Sequence, residues 1–133
     1  HIYTIGYMAD DDGYARFFEH LVDGLRQRPL TLEILAAEII EPRNELTATL
    51  ESEREAWGAE ASRVLGGAEF ARRPELAHLT LLLVAGVQYL LVRSRRIRIF
   101  GGVDIQSDAG WRTLQAALRQ LAHDLFDAKG KSR

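Results

Sequence analysis

The run Thr80–Val92 constrains this chain more than any other segment. It is the longest apolar stretch, thirteen residues containing Gly86 and Gln88. Crossing a bilayer takes roughly twenty apolar residues, so a buried helix is the better reading. The enclosing helix is expected to open at Pro74, with Glu75 beside it, and to reach about Arg95. From Leu79 to Val92 it is apolar almost all round, and a helix without a wet face has to be covered on several sides. Arg93, Arg95 and Arg96 then place positive charge at the negative end of the helix dipole.

Four further helical segments surround this one. Tyr14, Phe17, Phe18, Leu21, Val22 and Leu25 share one helical face and predict a helix from about Asp12 to Gln27. Asp10, Asp11 and Asp12 favour its start, and Pro29 stops it or opens the next helix. A second segment spans about Leu30 to Ile40, with Leu32, Leu35 and Ile39 as its stripe and Pro42 closing it. A third runs from Asn44 to about Leu65, with Leu46, Leu50, Trp57, Ala61 and Val64 on its dry side and Gly66-Gly67 at its end. The last begins at Ser107 or Asp108 and reaches about Ala128. Its Trp111, Leu114, Leu118, Leu121 and Leu125 are spaced as a bundle seam. Residues 97–107 are expected to form a loop, Lys129–Arg133 a frayed tail, and Ile2–Met8 a strand, a helix end or an added segment. Every long period is helical, so the fold class is all-α with about five helices.

Length and composition narrow the function. A chain of 133 residues suits one domain, here taken as residues 13–128 behind a segment 1–12. Formal charge is −2, which argues against specific DNA binding by this chain alone. There is no cysteine, so disulfides, thiol catalysis and thiolate metal sites are excluded. No signal peptide is visible, and a cytoplasmic location is expected. The chain starts at His1 rather than methionine, which reads as a processed, tagged or excised sequence.

Catalytic readings are poor. His78 lies three residues after Glu75, an acceptable helical ligand spacing, but a metal site wants three or four ligands. His20 and His123 have no second ligand at metal spacing. Gly101-Gly102 lacks the lysine and hydroxyl of a phosphate loop and reads as a turn needing positive φ. Glu51, Glu53 and Glu55 read as a solvated face. Arg93, Arg95, Arg96 and Arg98 have no interleaved aromatic for base stacking. No enzyme activity, metal or cofactor is expected.

Two stretches carry a family resemblance. RPELAHLTLLLVAGVQYLLVRSRR, followed by FGGVDIQSDAGWRTLQAALRQLAHDL, resembles the last two helices of TetR-type (tetracycline-repressor-like) transcription regulators. RQRPLTLEILAAEIIEPRNELTATLESERE is similar to that family's middle helices. The resemblance covers roughly Gly13 to Ala128. It implies an effector-binding and dimerisation domain of a probable repressor, with the last two helices pairing with their copies in a four-helix interface. It also implies that DNA is contacted only through a helix-turn-helix domain absent from this chain.

The residues themselves support two expectations. The first is a homodimer through Leu79, Leu83, Gly86 and Leu90 of the apolar helix and Trp111, Leu114, Leu118, Leu121 and Leu125 of the last helix. The second is a pocket for a small, mostly apolar effector. Tyr14, Phe17, Phe18, Leu21, Leu50, Arg54, Trp57, Leu82, Gln88 and Tyr89 are its candidate lining. Gln88 and Tyr89 either bond within an interface or face a ligand. The aromatic stripes compete with a plain reading as core, which is the commoner use of such stripes. A helical homodimerisation or adaptor module without a ligand is the alternative function.

Overall fold

The computed structural model describes residues 11–40 and 71–131, with Thr49, Ser52, Glu55 and Ala56 between them. Four helices form its frame: α1 (Asp11–Arg26), α2 (Pro29–Ile40), α3 (Pro74–Arg93) and α4 (Asp108–Lys131). The segment expected over Asn44–Leu65 lies outside the described residues apart from Thr49, Ser52, Glu55 and Ala56, each of which is helical. Ile2–Met8 also lies outside them. The last helix runs on through the stretch expected to fray, as far as Lys131.

Helix α1 is the centre of the packing. It lies along α4 and also meets α2 and α3. Tyr14, Phe18 and Val22, one turn apart, are buried from end to end, and Phe17, Leu21 and Leu25 pack beside them. Pro29 opens α2 at its first position, where a missing N–H breaks no helical bond. In α2 the inward residues are Leu32 and Ala36. Ile39, expected on the dry stripe, is exposed.

Between α3 and α4 the chain is not a plain loop. Ile99–Phe100 (β1) pairs antiparallel with Val103–Asp104 (β2), Ile99 opposite Asp104 and Phe100 opposite Val103. Gly101 and Gly102 make the reversal at φ 59° and 83°. Two successive positive φ values are the demand of a type I′ hairpin, the turn whose twist suits its strands. The fold is therefore mostly helical, in broad agreement with the all-α expectation, with a small two-stranded sheet where a loop was expected.

A short hydrogen-bonded knot attaches this hairpin to α4. The Ser107 Oγ accepts the Gly110 N–H at 3.0 Å, so Ser107 is the cap, and it donates to the Asp104 carbonyl at 3.1 Å. The Trp111 indole N–H donates to the Ile105 carbonyl at 2.7 Å, with both residues buried. Gly110 passes so close that a Cβ there would sit 1.7 Å from the Asp104 carbonyl oxygen. That obstacle is backbone and cannot rotate away. Gly110→Ala is therefore expected to destabilise the domain by about 3 kcal/mol, the upper range for overpacking. Gly101→Ala, whose Cβ would enter open space, costs only the left-handed backbone, about 1–2 kcal/mol. Urea unfolding of the two variants checks the order.

Candidate functional site

Helix α3 has two apolar faces, and among the described residues one of them is covered. Leu76, Thr80, Val87 and Leu91 turn inward and are buried. His78, Leu81, Leu82, Ala85, Gly86 and Tyr89 turn outward and are exposed. Leu81 and Leu82 are 67% and 68% exposed, close to the accessibility of unfolded leucines. By length and composition the helix could cross a membrane, with a mean hydropathy of 1.7. Among the described residues, the cover expected on several sides of this helix is found on its inner face alone.

The hairpin extends the apolar face. The Phe100 ring meets Tyr89 edge-on, with centroids 6.0 Å apart, and Ile99 is exposed next to it. Charge gathers at the same end of α3. Arg95 is paired with Glu33 of α2, and Arg98 reaches Asp104 at 3.3 Å. At the other end Glu75 stands 3.7 Å from Arg73. The face is therefore an apolar strip with charged residues of both signs at each end.

The residues expected to line a pocket are not gathered around one space. Tyr14 and Phe18 are buried core, and Phe17 and Leu21 pack against that core. Gln88 is half-buried, while Leu82 and Tyr89 are on the outer face, away from α1. Leu50, Arg54 and Trp57 lie outside the described residues. The residues expected at a dimer interface also divide. Gly86 is on the outer face with open space in front of it, and Leu79 flanks that face, half-buried. Leu83, Leu90, Leu114, Leu118 and Leu125 pack against the core of their own chain, and Leu121 is half-buried. Trp111 is wholly buried. The exposed face of α4 is instead mostly polar, with Arg112, Thr113, Arg119, Gln120, His123 and Asp124.

Sequence reasoning missed the role of Thr80 and read Phe126 as apolar surface for pairing, whereas it packs against the core of its own chain. The Thr80 hydroxyl donates to the Leu76 carbonyl at 2.7 Å, so its oxygen accepts from the Tyr14 hydroxyl at 2.6 Å. Phe126 meets the Tyr14 ring edge-on at 5.9 Å and lies beneath the Arg73 guanidinium, 5.8 Å from its centroid. Thr80 occurs at the start of the apolar run, four residues after Leu76, and that spacing is the signal of a helical back-bond. Among the described residues no group of three or more metal-ligating side chains occurs.

One family model matches the chain. It describes the N-terminus of chain 5 of NADH-ubiquinone oxidoreductase (complex I) and covers residues 1–18. No curated protein matches, and no solved structure matches. The finding overturns the TetR-type resemblance: the family that matches is a different one, and no match supports a transcription regulator. The repressor function and the soluble-adaptor alternative fall with it. The matched residues end inside α1 and do not reach α3.

The buried Tyr14 yields a stability test. Burial raises its pKa above the ordinary value of 10.0, and the hydrogen bond to Thr80 and the charge of Arg73 offset this only in part. The folded chain therefore holds the phenol proton where the unfolded chain releases it. Stability from this group is complete below pH 10 and is lost as pH rises above it. Tyr14→Phe is expected to cost about 1 kcal/mol at neutral pH, one hydrogen bond, and to flatten the alkaline fall. Thermal melts across pH 7–11 on both proteins measure it.

Proposed function

We propose that the outer face of α3 is a pairing surface covered by the same face of a second copy of the chain. The working unit is then a two-fold dimer rather than a single chain. The carrying observation is the exposure of Leu81, Leu82 and Tyr89 on a helix whose other face is already used inside the fold. Leaving these side chains in water forfeits about 25 cal/mol per Å² of apolar surface.

The pattern along α3 suits an antiparallel partner. Pairing about an axis between Ala85 and Gly86 brings Leu82 of one copy next to Tyr89 of the other. The same register sets Glu75 opposite Arg96 of the second copy and opposes the two helix dipoles. At the centre the small residues Ala85 and Gly86 let the backbones approach closely. A stable interface buries about 800 Å² per partner, more than one helix face supplies. The exposed Ile99 and Phe100 continue the strip in the required direction. This pairing rests on α3 and the hairpin. The α4 seam expected to complete a four-helix bundle is largely used within its own chain.

Gly86→Arg tests the proposal cleanly. A Cβ at Gly86 meets no neighbouring atom within 4 Å and the position is exposed, so the substitution is expected to spare the fold and to improve helix propensity. The wild-type chain is expected to sediment as a dimer at micromolar concentration. Gly86→Arg, and Leu82→Glu with Tyr89→Glu, are expected to weaken pairing about 100-fold. A monomeric wild-type chain, or one that floats with phospholipid vesicles in place of pairing, overturns the reading.

A further inference from the structure

We propose that a polar cleft between the end of α1 and the start of α4 binds a small zwitterion of the amino-acid type. The cleft encloses about 490 Å³ and is lined by Asp23, Arg26, Gln27, Asp108, Arg112 and Gln115. Such a volume is within the range of small-molecule sites. It opens between the end of α1 and the start of α4, and none of its residues belongs to the pairing strip.

The two walls have fixed spacing. Asp23 and Arg26 lie in the last turn of α1 with Gln27 just past its end, and Asp108, Arg112 and Gln115 share one face over the first two turns of α4. Two cross-links hold the walls at a set distance. Arg26 bonds Asp108 at 2.9 Å, and the Gln115 amide donates to one carboxylate oxygen of Asp23 at 3.2 Å. These bonds occupy one N–H of Arg26 and one of Gln115 and leave a remainder. Among the described residues, no hydrogen bond or ion pair engages the Arg112 guanidinium, the second Asp23 oxygen or the Gln27 side-chain amide.

That remainder has a definite chemistry. A guanidinium receives a carboxylate through two parallel N–H donors. An open carboxylate oxygen receives an ammonium. A neutral amide donates and accepts. The lining carries two arginines against two aspartates, so a ligand with one net charge gains nothing over its counterion, whereas a zwitterion satisfies both free ends. There is little apolar wall, so affinity comes from screened ion pairs and is weak and salt-dependent.

The test is an amide NMR titration of the whole chain with three probes: L-glutamine, acetate and methylammonium. L-Glutamine is expected to shift the amides of Gln27, Arg112 and Gln115 saturably at millimolar concentration. Acetate and methylammonium are expected to bind about tenfold more weakly each. Arg112→Gln is expected to weaken L-glutamine about tenfold, with Arg112→Lys between the two, while both variants sediment as the unmodified chain does. Arg112 is exposed and bridges nothing, so the variants keep the fold. The absence of saturable shifts, equal binding of acetate, or undiminished binding by Arg112→Gln overturns the proposal. Loss of dimer formation leaves it standing, because the cleft is complete within one copy.

Discussion

Tyr14 is the residue on which three helices depend. It sits on α1, its ring meets Phe126 of α4 at 5.9 Å, and its hydroxyl reaches Thr80 of α3 at 2.6 Å. Phe18 supports the ring from the same helix at 5.3 Å, and Val22 continues the dry line one turn further on. Full burial of such side chains contributes about 1.5–3 kcal/mol each. The ion pairs between the same helices are of another order. Arg119 of α4 reaches Asp12 at 3.1 Å and also Glu19, but all three side chains are well exposed to water. Exposed pairs contribute about 0–1 kcal/mol. The apolar line therefore holds α1 and α4 together, and the arginine sets their register.

The same comparison explains why α3 is unusual. Its inner face needs only Leu76, Thr80, Val87 and Leu91 to join the core. Nothing in that packing requires leucine at 81 and 82, where polar residues would keep the helix equally well and the chain more soluble. Their presence is a departure from what folding of one copy demands. Gly86 is a second departure. A glycine inside a helix costs about 1 kcal/mol against alanine, and no neighbouring atom excludes a Cβ there. Both features acquire a physical reason when another backbone approaches that face.

The legible parts of the sequence were those governed by period. The six-residue stripe of α1 was visible because one helical face carries all its apolar residues, and the structure buries or half-buries each of them. Pro29 and Pro74 marked helix starts for a reason that does not depend on tertiary contacts. What period could not supply was direction. The residues of α3 are apolar on every side, so nothing in the spacing told inner Val87 from outer Leu82. The pocket expectation assembled Tyr14, Leu82 and Tyr89, which the fold puts on different sides of a helix pair. Trp111 was read as part of a seam because its spacing to Leu114 and Leu118 was right. Its indole N–H was already committed to Ile105, a bond that ties α4 to the end of a hairpin that the glycine pair announced only as a turn.

The hairpin also explains how a loose likeness to another family arose. Beside the long apolar helix with its central glycine and basic end, the residues that carried it were Gly101, Gly102, Asp104, Gly110 and Trp111. Each has a local task. The glycine pair makes the I′ reversal, and Asp104 holds the following turn by accepting the Gln106 N–H at 2.9 Å. Gly110 admits the Asp104 carbonyl, and Trp111 locks Ile105 beneath α4. Any chain that must leave one helix, reverse over four strand residues and enter another at once meets the same steric demands. Such a motif reports how a corner is folded. It is silent on what the domain binds, because function is carried by sites rather than by the scaffold that positions them. The informative residues are instead those the fold leaves without a task, the outer leucines of α3 and the unengaged Arg112.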